Sequence, residues 1–267
     1  MLDKIKRNIL GYYGQLIYLI SKRKKKKFNR EVHLCEIKQK YPNLNDQYYY
    51  FHHYFWTQAP QWLRDHRAYF KKDSRGFSED AFHAMWYLIF KEYSPKNVLE
   101  IGIYRGQVIS LWSLLAKKMG FNIEIYGVSP FIAANDEVSI YLKDIDYYQD
   151  VIDNFKRFEL EVPNLNKGFS TDENMIQVIK SIKWDLIYID GCHNYENAKQ
   201  DFMNCSDSLE KNGLIILDDS ALFTNYKPYH YSSAGHLGPS KVAKEIDYRC
   251  FREILSVGHN RVFRKTR

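Results

Sequence analysis

Asn97-Val98-Leu99-Glu100-Ile101-Gly102-Ile103-Tyr104-Arg105-Gly106 holds an apolar run of strand length that stops at Gly102. From Gly106 to Met119 the apolar residues recur at helical spacing, so the segment predicts a strand over 97–102, a tight glycine turn and a helix over 106–119. The same alternation repeats downstream, with strands over 122–128, 165–169, 185–190 and 214–218 and helices over 147–158, 173–182 and 195–209. Val- and Ile-rich strands separated by helices need right-handed crossovers, which predicts an α/β, doubly wound, mostly parallel sheet. A helix over 241–248 and a hairpin of 252–257 with 261–264, turning at Gly258-His259-Asn260, add an antiparallel ending and bring the strand count to seven. Upstream, Ser78 is expected to cap a helix that runs to Tyr93 and closes at Pro95.

The 267 residues carry a net charge of +7, and its distribution matters more than its size. Residues 1–30 hold +9, Arg261, Arg264, Lys265 and Arg267 hold +4, and residues 31–260 hold −6. A body of that sign does not coat nucleic acid, so no nucleic-acid partner is expected. Leu2, Ile5, Ile9, Leu16 and Ile20 fall on one helical face ahead of Lys22–Lys27. Two readings stay open for 1–30: a peripheral anchor on an anionic membrane face, or a docking helix followed by a solvated charge run. No run reaches the ~18 apolar residues of a spanning helix, and the basic cluster follows the apolar stretch instead of preceding it, unlike an export signal. Cys35, Cys192, Cys205 and Cys250 form no C-x-x-C pair, which suits a reducing, cytoplasmic compartment. Three segments are expected: a basic amphipathic segment 1–30, an aromatic helical cap 31–75 and a catalytic domain 76–267. Adjacent His52 and His53 in the cap lack a ligand-spaced partner and are expected to pack.

In a sheet of this kind ligands bind beyond the carboxyl ends of the strands. Glu100-x-Gly102-x-x-x-Gly106 is not the phosphate-cradling G-x-G-x-x-G, which removes a nicotinamide-dependent oxidoreductase from contention. A carboxylate at that turn suits a cationic ligand, and S-adenosylmethionine, with its ammonium and sulfonium, meets the description. The fourth and fifth strands end in Asp190 and in Asp218-Asp219. Three carboxylates in one cleft raise one another's pKa unless a cation holds them, and oxygen donors suit Mg²⁺ or a similar divalent ion. The competing assignment makes Asp190 and Asp219 helix caps.

The order of elements, the Glu-x-Gly-x-x-x-Gly turn and the terminal hairpin resemble class I S-adenosylmethionine-dependent methyltransferases, including catechol O-methyltransferase-like members, over 76–267. The resemblance implies a Rossmann-like methyltransferase sheet with Glu100, Gly102, Tyr104, Gly106, Ser129, Ser170 and Asp190 at the cofactor. It departs at the second strand, which ends in Ser129 where an acid commonly holds the ribose; Asp136 or Glu137 are the candidates to substitute. Asp190-Gly191-x-His193-x-Tyr195-Glu196 and the acidic pair look like metal-dependent bacterial sugar and macrolide O-methyltransferases. That likeness implies Asp190, Asp218 and Asp219 as metal ligands and His193 as general base, against a structural His that caps the next helix. The stretch Ser129-Pro130-Phe131 and the loop Ala234-Gly235-His236-Leu237-Gly238-Pro239-Ser240 are also typical of that group. Tyr226, Tyr229, His230, Tyr231 and His236 are expected to cover a substrate.

The function expected is methyl transfer to a hydroxyl of a small-molecule or glycan acceptor, with homo-oligomerisation left open. A non-catalytic S-adenosylmethionine-binding or membrane-tethered scaffold is the rival.

Overall fold

The structure is a computed structural model that describes residues 28, 31–133, 138–139, 141–228 and 232–267. The proposed anchor 1–30, apart from Phe28, lies outside the described residues, as do Asp136, Glu137, Tyr229, His230 and Tyr231.

Side chains on a strand alternate between two faces, and here each face has its own apolar set. The strands are β1 (Asn97–Ile101), β2 (Glu124–Ser129), β3 (Asn164–Lys167), β4 (Trp184–Ile189), β5 (Leu209–Leu217), β6 (Phe251–Val257) and β7 (Asn260–Lys265). Val98, Leu186, Tyr188, Leu214, Ile216 and Val262 enter one core cluster, while Leu99, Ile101, Ile187, Ile189, Ile215 and Phe263 enter the other. The strand order is β3-β2-β1-β4-β5-β7-β6, with β5–β7 and β6–β7 antiparallel and the remaining pairs parallel.

Between and before the strands run α1 (Leu34–Lys40), α2 (Leu44–Thr57), α3 (Gln61–Phe70), α4 (Asp80–Tyr93), α5 (Gln107–Met119), α6 (Tyr147–Arg157), α7 (Glu173–Ser181), α8 (Tyr195–Ser208) and α9 (Leu237–Glu245). The first core cluster is closed by α1, α2, α4, α5 and α6, and the second by α7, α8 and α9. Trp86 of α4 fixes the first layer, its ring lying 5.1 Å from both Trp112 of α5 and Tyr188 of β4. Removing so large a buried ring costs about 3–5 kcal/mol. α2 covers the sheet edge: Gln47 accepts from the Ser256 backbone N–H of β6 at 2.9 Å and donates to the Tyr41 carbonyl, so an edge strand is protected by a buried amide. His52 and His53 are buried among aromatic rings, as expected of packing residues.

Under α3 and α4 a row of buried polar groups points one way. The His83 Nε2 and His66 Nδ1 atoms are 3.2 Å apart, His66 Nε2 lies 3.1 Å from Ser110 Oγ, and that hydroxyl donates to the Gly106 carbonyl. Since Gly106 O can only accept, the proton order is His83 to His66 to Ser110 to Gly106, with both rings neutral.

Three boundaries differ from the sequence reading. Ser78 does not cap α4; Glu79 stands at the N-cap without a side-chain cap bond and accepts instead from Tyr48 Oη and Ser232 Oγ, each at 2.6 Å. β5 starts at Leu209 because a bulge carries the pairing from Trp184–Leu209 to Leu186–Leu214, and exposed Glu210, Lys211 and Asn212 break the apolar pattern. α9 starts at Leu237 and ends at Glu245: Gly238 and Pro239 look like breakers, but a proline in the first turn lacks only an N–H that would have no helical partner.

Candidate active site

Five strand ends are stitched side by side. Gly102 N donates to Val128 O, Asp190 N to Ile101 O, Asp218 N to Ile189 O and Gly168 N to Ser129 O, at 2.8–3.1 Å. The carboxyl ends of β1 to β5 therefore lie side by side, which brings the residues after them to one edge of the sheet. At Gly102, φ is +91° and an added Cβ would stand 1.9 Å from the Asp190 carbonyl oxygen, so only glycine lets these two strand ends touch. Gly106 opens α5, and the intervening Arg105 is clamped by Asp150 at 2.5 and 3.1 Å and by the Asp73 carbonyl.

Glu100 is 3 % exposed, and its Oε2 makes no hydrogen bond. Burial pushes its carboxyl well above the ordinary carboxylate range against the Ile109 backbone N–H that favours the anion, and the nearby Asp218 charge pushes the same way. A buried oxygen without a donor, beside a turn with no room for a side chain, fits a ligand that brings its own cation. Tyr104 packs against Phe77 and Tyr147. Ser129 is tied down: its hydroxyl donates to the Ile103 carbonyl at 3.1 Å, which braces the turn. Ser170, beyond β3, reaches Asp201 of α8, whose carboxyl burial raises to about 6.

Asp190, Asp218, Asp219 and His193 do meet, and neither carboxylate expected as an alternative cap is one, because Asn194 takes the N-cap of α8 and His236 that of α9. His193 Nε2 is 3.0 Å from Asp219 Oδ2, and Nδ1 is 3.4 Å from Ser139 Oγ on the loop after β2. Burial holds the Asp190 carboxyl well above its usual range, reinforced by the charges of Asp218 and Asp219 and by a hydrogen bond to Asp218. Asp218 is raised as well, again chiefly by burial. Asp219 moves the opposite way: burial would raise it, but the His193 hydrogen bond and the charges of His259, His193 and His236 together hold it below the usual range.

Two of those imidazoles go beyond the sequence assignment. His236 Nε2 lies 3.6 Å from Asp219 Oδ2 with its ring 4.4 Å from that of His193. It was expected only as a substrate cover. His259, in the β6–β7 turn, places Nε2 3.3 Å from Asp218 Oδ1 and Nδ1 3.8 Å from Asp219 Oδ1. The signal for His259 was present: if β7 runs antiparallel to β5, the turn before it must sit beside the residues that follow β5. His236 had no such signal, because backbone contacts place it. Gly235 (φ +97°) would drive a Cβ to 2.1 Å from the Asp219 backbone, and Gly238 would do the same to the His193 carbonyl. His236 N and Ser240 Oγ both donate to the Asp219 carbonyl, so the 234–240 loop clamps Asp219 in its left-handed conformation (φ +48°). Tyr226, expected to face substrate, is buried against Tyr48.

Among the described residues, two three-residue groups gather their donor atoms within 4.8 Å: His193, Asp219 and His236, and Asp218, Asp219 and His259. Asp190, expected as a third carboxylate ligand, belongs to neither group and pairs with Asp218 instead. Asp218 Oδ1 is buried without a hydrogen bond, so the carboxylate and imidazole donors fit a divalent cation.

Residues 99–220 match a family model described as a methyltransferase domain. In a search of curated proteins no sequence matched. Among solved structures, a Staphylococcus aureus protein described as a caffeoyl-CoA O-methyltransferase aligns over 84% of this chain and 100% of its own, at 14% identity and a TM-score of 0.56. An O-methyltransferase from Bacillus cereus in complex with S-adenosylhomocysteine gives 84%, 100%, 13% and 0.55. A methyltransferase from Podospora anserina bound to S-adenosylhomocysteine gives 78%, 89%, 16% and 0.54. At these identities the likeness is one of fold.

Proposed function

We propose that the domain built on residues 99–220, which match a methyltransferase-domain family model, is a class I S-adenosylmethionine-dependent methyltransferase, and that the protein is an O-methyltransferase acting on a hydroxyl of a sugar, in a glycan, a glycolipid or a glycosylated metabolite. The observation that carries this reading is the His193–Asp219 pair at the strand ends. Asp219 accepts from Nε2–H, which leaves the Nδ1 lone pair as the proton acceptor and gives the imidazolium that forms a carboxylate to face. Ser139 Oγ, 3.4 Å from Nδ1, marks a position from which an acceptor hydroxyl can deliver its proton. S-adenosylmethionine, when bound, would supply the electrophilic methyl group; Asp218 and Asp219, with Asp190 paired to Asp218, would hold a divalent cation, which would supply positive charge that favours deprotonation of the acceptor hydroxyl. Glu100 and the Gly102 and Gly106 turn would hold the cationic end of the cofactor, with Tyr104 and Ser129 shaping that turn, and Ser170 would face its adenine. The sugar assignment is supported by the Asp-Gly-x-His-x-Tyr-Glu signature at 190–196.

No helix among the described residues is long and apolar enough to cross a membrane. The +9 segment of residues 1–30 supports peripheral contact with an anionic membrane face from the cytoplasmic side.

His193→Ala tests the base. Methyl transfer from labelled cofactor to a glycosylated acceptor should fall ~10²–10⁴-fold while calorimetric binding of S-adenosylmethionine is retained. Unchanged turnover removes His193 from the reaction, and a chain that binds no cofactor is no methyltransferase.

A further inference from the structure

His259 sits in the two-residue turn between β6 and β7, far in sequence from the strand-end acids. Its turn is docked by Ser220, whose backbone N–H and hydroxyl both donate to the His259 carbonyl at 2.9 and 3.2 Å, and its ring packs edge-on against Phe82 at 4.8 Å. The ring orientation is therefore fixed by the fold. Nδ1 lies 3.2 Å from the Ser233 carbonyl, which can only accept, so Nδ1 carries a proton. In the neutral ring the lone pair is then on Nε2, and Nε2 faces Asp218 Oδ1 at 3.3 Å. That oxygen is buried and has no hydrogen bond. With the ring neutral, two acceptor atoms face each other with Asp219 Oδ1 alongside, a gap that either a proton on Nε2 or a bound cation fills. An imidazole whose Nδ1–H is held by a backbone carbonyl while Nε2 points at carboxylates is the arrangement that orients a metal-ligating histidine.

We propose that His259 Nε2 is a nitrogen ligand of the strand-end cation, together with Asp218 and Asp219, and that the site therefore prefers a first-row transition divalent ion to Mg²⁺. The proposal rests on the cation-assisted reading given above and adds the donor that decides which cation is held. Imidazole nitrogen favours transition ions, whereas an all-oxygen set with water suits Mg²⁺.

The test uses the full chain with Mn²⁺ alone and Mg²⁺ alone, titrated calorimetrically, and the electron spin-echo spectrum of the Mn²⁺ form. Mn²⁺ should bind at least tenfold more tightly than Mg²⁺ and show ¹⁴N coupling. His259→Ala should lose the coupling and about 10–100-fold of Mn²⁺ affinity with little change for Mg²⁺. Asp218→Asn should weaken both ions, and metal-free thermal unfolding checks that each variant folds. If both ions bind equally, or if His259→Ala leaves coupling and affinity intact, His259 is no ligand and the carboxylate site stands without it. If neither ion binds the unaltered chain, the cation reading itself falls and this proposal with it.

Discussion

Around Ser110, His83 and His66 pass their protons in one direction toward a backbone carbonyl, whereas around Asp219 three imidazoles converge on a single carboxylate. Both places bury histidine, and the neighbour decides what the histidine does. Burial, with the Arg67 charge added, pushes His66 down to about 3, and His83 is driven well below its usual value by burial and by His66. At the strand ends burial also opposes the charge on His259, but Asp218 and Asp219 outweigh it and raise its pKa. One cluster is a neutral structural seam; the other can carry, accept and release positive charge.

The largest way to break that contrast is Asp219→Asn. The change tolerates the left-handed backbone and keeps the volume, but it swaps the charged acceptor facing His193 Nε2 for an amide that can donate, which reverses the tautomer of the base. Turnover should fall on the order of 10³–10⁴-fold with the fold intact by circular dichroism; a loss under tenfold would mean that Asp219 does not orient the base.

A second test concerns the seam. Because the folded pKa of His66 and of His83 lies below the unfolded value of 6.5, the unfolded chain binds more protons in acid, and stability drops as pH falls from about 6.5 toward 3. Each ring contributes a slope of up to ~1.4 kcal/mol per pH unit. Asp201, raised to about 6, works in the opposite direction over the upper part of that window. Urea unfolding of His66→Gln at pH 6 and pH 4.5 should lose about half of the histidine slope, and an unchanged slope would show that the seam is not neutral.

The smallest effect is expected at Ser139, whose contact with His193 is long and lies on a loop. Ser139→Ala should alter turnover by less than about fivefold, consistent with one weak neutral hydrogen bond. A larger loss in the pH–rate profile would move Ser139 into the set that positions the base.

Much of this was legible in the sequence for a physical reason. Parallel strands buried on both faces read as near-continuous apolar runs, so β1 and β4 declared themselves, and the acids that end β4 and β5 followed from topology alone. β5 was read too short because Glu210 to Asn212 obey solvent and not the core. Ser129 looked available to a ligand, yet hydroxyls are readily captured by local carbonyls, and Ile103 takes this one. His236 and the seam of His66 and His83 depend on contacts between segments tens of residues apart, which no local pattern records.

The strand order β5-β7-β6 also sets a timetable. β7 is synthesised after every other strand, yet its place is between two that already exist, and His259 hangs from its leading end. During translation the two acids after β5 emerge some forty residues ahead of that imidazole. A nascent chain can thus assemble the parallel half of the sheet while its cation-binding chemistry is still unfinished, and maturation of the site waits on the insertion of one late hairpin.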